Sequence, residues 1–203
     1  MKSTQILLTL LPLLARATSL TPRQAPSVEI TSVSVAGVGC EPDTFNTSIS
    51  EDGSAATFSF STYESAIGAS VAAEDREKHC QLFVKARFPV GCTSASISTT
   101  YHGSATLDSE AAGVLAPDYV ISSGELTDKT PQASFLSGSK FKSGDGFERV
   151  DETEAKVTVD KEENQEVEFV VRSRTFIETT ASGQEATVTA DDVTVKITDL
   201  KAC

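Results

Sequence analysis

Tryptophan is absent from the 203-residue chain, methionine occurs once and histidine twice. Aromatic residues make up only 6 % of it, so any core must be built mainly from Val, Ile, Ala and ten Phe. A sugar-cleaving cleft usually offers aromatic platforms, and three Tyr supply few. No GxSxG stretch seats an activated serine, and no CxxC pair is present for zinc or dithiol chemistry. Cations are scarce as well: 17 Lys and Arg against 29 Asp and Glu give a formal net charge of -12. Phosphate backbones and anionic lipid headgroups repel so acidic a chain, which argues against nucleic acid and membrane surfaces as partners.

Long apolar runs are missing too. The run from Ile6 to Leu14 is broken by Thr9 and Pro12 and falls far short of the roughly 20 residues of a membrane span. With Lys2 before it and Ala15, Arg16, Ala17 after it, the stretch has the layout of a secretory signal peptide cleaved after Ala17. Losing Lys2 and Arg16 would make the remainder still more acidic. Residues 18–27, TSLTPRQAPS, read as disordered or trimmed, and residues 28–203 suit a single domain. No hydrophobic tail suggests a lipid anchor, so the expected protein is secreted and extracellular.

Cys40, Cys80, Cys92 and Cys203 form an even set, which in a secreted chain predicts two disulfides with three connectivities open. Gly37 and Gly39 in GVGC are not a phosphate loop, because no GKS or GKT follows and no helix pattern begins there. They are expected to give the backbone an unusual conformation at a strand end, so that Cys40 faces its partner.

Alternation with period two recurs and predicts half-buried strands. Val28 and Ile30, then Val33 and Val35, mark the first strand, with an irregularity where the phase slips. Phe45, Thr47 and Ile49 pass through EDGS to Ala56, Phe58 and Phe60, the strongest hairpin signal in the chain. Leu82 to Phe88 and Ala95 to Gly103 flank a turn at Pro89, Val90 and Gly91. Tyr119 and Ile121, Val157 and Val159, Val167 to Val171, and Val193 to Ile197 continue the pattern. Residues 63–79 suggest a helical turn or two, and the polar stretch 123–153 reads as a long loop with at most one short strand. Nine or ten strands in one domain predict an all-β, antiparallel β-sandwich with two disulfides.

GVGC, DREKHCQLFVKARFPVGC, YHGSATLDSEAAG and YVISSG together resemble the secreted domain-of-unknown-function family 4360. The positions that carry the resemblance are Gly37, Gly39 and Cys40; Arg76, Lys78 and Cys80; Pro89 and Gly91; and Tyr101 with Gly103. It covers residues 28–122 well, and Cys203 fits a family habit of ending on cysteine. Members often carry a cysteine well after the midpoint, followed by an aromatic-rich close; here that cysteine is absent and Cys92 follows Pro-x-Gly instead. The resemblance implies a Cys40–Cys80 bridge, which leaves Cys92 to pair with Cys203 by elimination. It also implies a secreted all-β protein of bacterial or fungal origin, the compact Ser/Thr-rich design favouring a fungal one, and it brings no established activity or catalytic residue.

His79 and His102 read as surface histidines, His102 out of phase with Ile97, Thr99 and Tyr101. Asp108 and Glu110, Asp145, Asp151 and Glu152, Glu162 and Glu163, and Asp191 and Asp192 read as solvated loop charges. SGDG at 143–146 lacks the twelve-residue calcium loop. Asn46 heads the sequon Asn46-Thr47-Ser48 on a predicted strand, a candidate glycosylation site. The reading assigns no catalytic residue, no metal and no cofactor. It predicts a monomeric, non-enzymatic extracellular protein, cell-wall or host-associated, whose partner is a protein or glycan. The alternative is a secreted glycosidase-like hydrolase using an acidic pair.

Overall fold

The computed structural model describes residues 27–122, 124–127, 133–157, 159 and 163–201. The expected signal peptide, most of the segment 18–27, Glu162 and Cys203 therefore lie outside the described residues. Among the described residues thirteen strands form two antiparallel sheets. The first sheet contains β1 (Glu29–Ala36), β5 (Glu77–Phe88), β7 (Ala111–Leu115), β8 (Asp118–Ile121), β10 (Ser134–Ser137) and β12 (Gln165–Thr179). The second contains β2 (Phe45–Ile49), β3 (Ala55–Phe60), β4 (Glu64–Ile67), β6 (Ser94–Leu107), β9 (Gly124–Thr127), β11 (Asp145–Val157) and β13 (Ala186–Lys201).

The inner faces meet in one main core. Leu82, Val84, Ala86, Phe88, Val167, Phe169 and Val171 from the first sheet pack against Phe58, Ile97, Tyr101, Val193, Val195 and Ile197 from the second. Period-two alternation carries this burial, as the sequence predicts. The phase slip in β1 is a bulge between Ile30 and Ser32, and β2 and β3 pair Phe45 with Phe60 and Ile49 with Ala56 around the EDGS turn. Phe45 packs at the core margin while Ile49 is exposed.

Two expectations need correction. The stretch 123–153 is not a long loop: it contains β9, β10 and most of β11. Apolar periodicity is hidden there because Arg149 and Asp151 occupy consecutive inward positions of β11 and neutralise each other at 2.7 Å. Residues 63–79 hold β4 and a single 3-10 turn, Ala73–Arg76, before β5 begins; no α-helix occurs among the described residues. Of the two expected disulfides, Cys40–Cys80 is seen among the described residues, while Cys203 lies outside them.

Each sheet has one long strand whose far edge is shared by two short ones. On β12, β5 runs along one edge, while β8 pairs Phe169–Arg172 and β7 pairs Thr175–Thr179 along the other. The chain passes from β7 to β8 through Ala116 and Pro117. Ala116 exchanges backbone hydrogen bonds with Arg174 at 2.8 and 3.2 Å, and Pro117, having no N–H, cannot extend that ladder. On β13, β4 and β3 meet at a bulge between Ala190 and Asp192.

Candidate functional site

The corner built by GVGC positions everything near it. At the end of β1, Gly37 adopts φ 147°, and a Cβ there would lie 2.3 Å from the His79 carbonyl oxygen. A Cβ on Gly39 would lie 2.5 Å from the Tyr63 ring. Both glycines thus let the loop lie flat on β5, where Gly39 N–H donates to His79 O at 2.9 Å. Cys40 is thereby brought to Cys80, with Cα atoms 5.7 Å apart. Cys92 is buried and is not a free thiol.

Beside this corner, where Pro117 interrupts the sheet, lies a cleft of ≈ 360 Å³. His79 and Gln81 of β5, Arg172 and Arg174 of β12, and Pro117 and Asp118 line it. Register places Arg174 opposite His79 and Arg172 opposite Gln81. Arg172 meets Asp118 at 3.5 Å and Arg174 meets Glu77 at 3.5 Å, both long for charge-assisted bonds. The Arg174 guanidinium also sits 4.7 Å above the centre of the Phe176 ring. None of these arginines stands out by motif. Their signal is the spacing RSR within VVRSRTF, two cations on the outward positions of one strand in a chain short of cations.

A second constellation occupies the outer face of the other sheet. His102 Nδ1 lies 2.9 Å from Asp192 Oδ1 and its Nε2 lies 3.2 Å from Glu148 Oε2. The three residues are cross-strand neighbours on β13, β6 and β11. Hydrogen bonding to Asp192 raises the imidazole above its ordinary range, with Glu148 adding to it. Next to it, burial and the charge of Asp192 raise the Asp191 carboxyl. His102 faces outward, away from Tyr101, as its phase predicts.

The other carboxylates from the sequence are dispersed. Asp108 Oδ2 accepts from Glu185 N–H at 2.8 Å, and Asp145 Oδ2 accepts from the amides of Lys142 and Ser143 at 2.8 and 3.3 Å. The SGDG oxygens thus serve the loop itself. Asp151 is bound by Arg149, while Glu110, Glu152 and Glu163 are exposed. No group of three His, Cys, Asp or Glu among the described residues is arranged to hold a metal ion. Asn46 is exposed on β2, opposite Ser59.

Between the sheets the tyrosines form a buried cluster. Burial raises Tyr119 to about 12 and lifts Tyr101 well above its ordinary range, and the hydroxyls of Tyr101, Tyr119 and Thr99 crowd together without a well-formed hydrogen bond. Arg149 adjoins them, donating to Leu115 O at 3.1 Å and to Ser134 Oγ at 2.5 Å.

Fold and site together define a β-sandwich with a disulfide-pinned corner. The chain belongs to the family described as domain of unknown function (DUF4360), matched over residues 26–202. An uncharacterized secreted protein of Arthroderma benhamiae is 32 % identical over 95 residues, which are 47 % of this chain and 39 % of that protein. The match therefore spans well under half the length of that relative. A solved structure of TmCBM61 in complex with β-1,4-galactotriose covers 83 % of this chain and 90 % of its own, at 9 % identity and a TM-score of 0.25, too loose to bear on function. No helix among the described residues is long and apolar enough to cross a membrane.

Proposed function

We propose that the protein is secreted and acts outside the cell as a binding protein, its ligand an extracellular glycan or protein. The observation that carries this reading is the cleft at Pro117, where two arginines with loosely held partners line a concave surface next to the disulfide. The second disulfide, Cys92 to Cys203, belongs to the same proposal. The test is retention of the purified protein on cell-wall and extracellular-matrix fractions, with Arg172→Gln/Arg174→Gln as the comparison. Saturable retention that the double variant weakens is expected; no retention on any fraction overturns the reading.

The second reading is a hydrolase, and Asp191 is what favours it. Partial desolvation and the neighbouring charge of Asp192 raise the Asp191 carboxyl, and glycoside hydrolysis employs a raised carboxylic acid beside a second carboxylate. Hydrolysis of a glycan panel that Asp191→Asn abolishes would support it; activity equal in the variant and the parent chain would sink it.

A further inference from the structure

We propose that the cleft between β5, β12 and Pro117 is a subsite for the carboxylate of an acidic sugar, a uronic acid within a polysaccharide. This rests on the binding-protein reading and names its ligand. Arg172 and Arg174 project from the same face of one strand, two residues and so roughly 6.5–7 Å apart. Gln81 and His79 stand directly across the ladder from them. The result is a square of nitrogen-bearing side chains over one concave surface.

The arginines' present partners leave room for a ligand. Each guanidinium carries five N–H donors, and the ion pairs to Asp118 and Glu77 engage one nitrogen apiece at 3.5 Å. An incoming carboxylate taking two parallel N–H bonds at the usual 2.7–2.9 Å would be held far better. The Phe176 ring under Arg174 keeps that guanidinium in place and lowers the ordering cost. Ala116 and Pro117 supply an apolar wall for the C–H face of a sugar ring. The volume of ≈ 360 Å³ lies at the small end of ligand sites and suits one or two sugar units.

Whole-molecule charge narrows the ligand further. With a formal charge of -12, the protein repels densely charged polyanions at long range. A local pair of arginines on such a background favours isolated carboxylates over a sulfate-rich or phosphate-rich chain. Asp118 at the rim is placed to accept a sugar hydroxyl once Arg172 turns to the ligand.

Calorimetry on the secreted chain separates the alternatives, with trigalacturonic acid, its fully methyl-esterified form and a sulfated monosaccharide as probes. The acid is expected to bind, the ester about tenfold or more weaker, and Arg172→Gln or Arg174→Gln to weaken the acid similarly with unchanged melting temperature. Added salt should reduce the affinity for the acid. Equal binding of acid and ester, or arginine variants indistinguishable from the parent, overturns the carboxylate subsite while leaving a glycan-binding role standing. A sulfated sugar that competes as well as the acid at matched ionic strength overturns the choice of carboxylate. Absence of any binding here together with retention on cell-wall fractions removes this inference alone; absence of both removes the binding-protein reading too.

Discussion

The Tyr63 hydroxyl donates to Ser173 Oγ at 2.9 Å across the gap between the two sheets. Two positions on, Ser65 Oγ donates to Thr175 O at 2.8 Å. Every residue in these contacts is buried, so the two bonds fix how the sheets sit on one another next to the disulfide corner. Tyr63→Phe leaves the ring in its slot against Gly39 but strips Ser173 of that donor. A buried group that loses its partner costs about 1–3 kcal/mol. For a domain of this size each kcal/mol is worth about 2–4 °C of melting temperature. Thermal unfolding at neutral pH checks it, and an unchanged midpoint would mean the bond contributes nothing net.

Removing the bridge should be costlier. Cys40 and Cys80 are 40 residues apart, and loop-closure entropy over that span corresponds to about 4 kcal/mol. Cys40→Ala/Cys80→Ala should lower the denaturation midpoint accordingly, with the slope against denaturant raised by a more expanded unfolded state. Gly39→Ala attacks the same corner while keeping the bridge. Its methyl must displace the Tyr63 ring, so the variant should lose stability and weaken the Tyr63–Ser173 bond together. A double-mutant cycle of Gly39→Ala with Tyr63→Phe checks the coupling; strict additivity would show the two effects to be separate.

Apolar alternation made most of the first half of the fold legible, down to the bulge in β1 and the hairpin at EDGS, though it missed β4. It failed over 123–153 because a strand whose inward positions include Arg149 and Asp151 has no apolar period to read. The candidate site was hidden for a related reason. Arg172 and Arg174 are ordinary outward residues of β12, and only the interruption of β7 and β8 at Pro117 turns their neighbourhood into a cleft. His102 was legible as outward-facing, whereas its contacts with Glu148 and Asp192 depend on the register of β11 and β13, which one sequence does not specify.

His102 gives a pH signature. Asp192 and Glu148 favour the imidazolium, so its folded pKa lies above 6.5. The stabilisation this brings is complete below the unfolded value and fades as the pH rises through the raised folded value. Proton NMR of the imidazole should give a midpoint above 6.5, and Asp192→Asn should bring it down. Asp192→Asn should also cost less stability at alkaline pH than at pH 6. A midpoint that does not move on this substitution would mean the 2.9 Å contact does not govern the titration.

Arg149 and Asp151 test why β11 exists at all. Their side chains are 10 % and 15 % exposed, and Arg149 holds both oxygens of Asp151 while reaching Leu115 and Ser134. Arg149→Met leaves Asp151 unpaired beside the buried tyrosines, where an uncompensated charge costs about 3–5 kcal/mol. Asp151→Leu strands the guanidinium in the same way. Replacing both, Arg149→Met/Asp151→Leu, removes the desolvation cost along with the attraction and supplies the apolar period the strand lacks. The double variant should therefore unfold at higher denaturant than either single one, measured by urea denaturation at pH 7. If it proves no more stable than the weaker single variant, the pair is not a self-contained neutralised unit, and the bonds from Arg149 to Leu115 and Ser134 are what hold β11 to the first sheet.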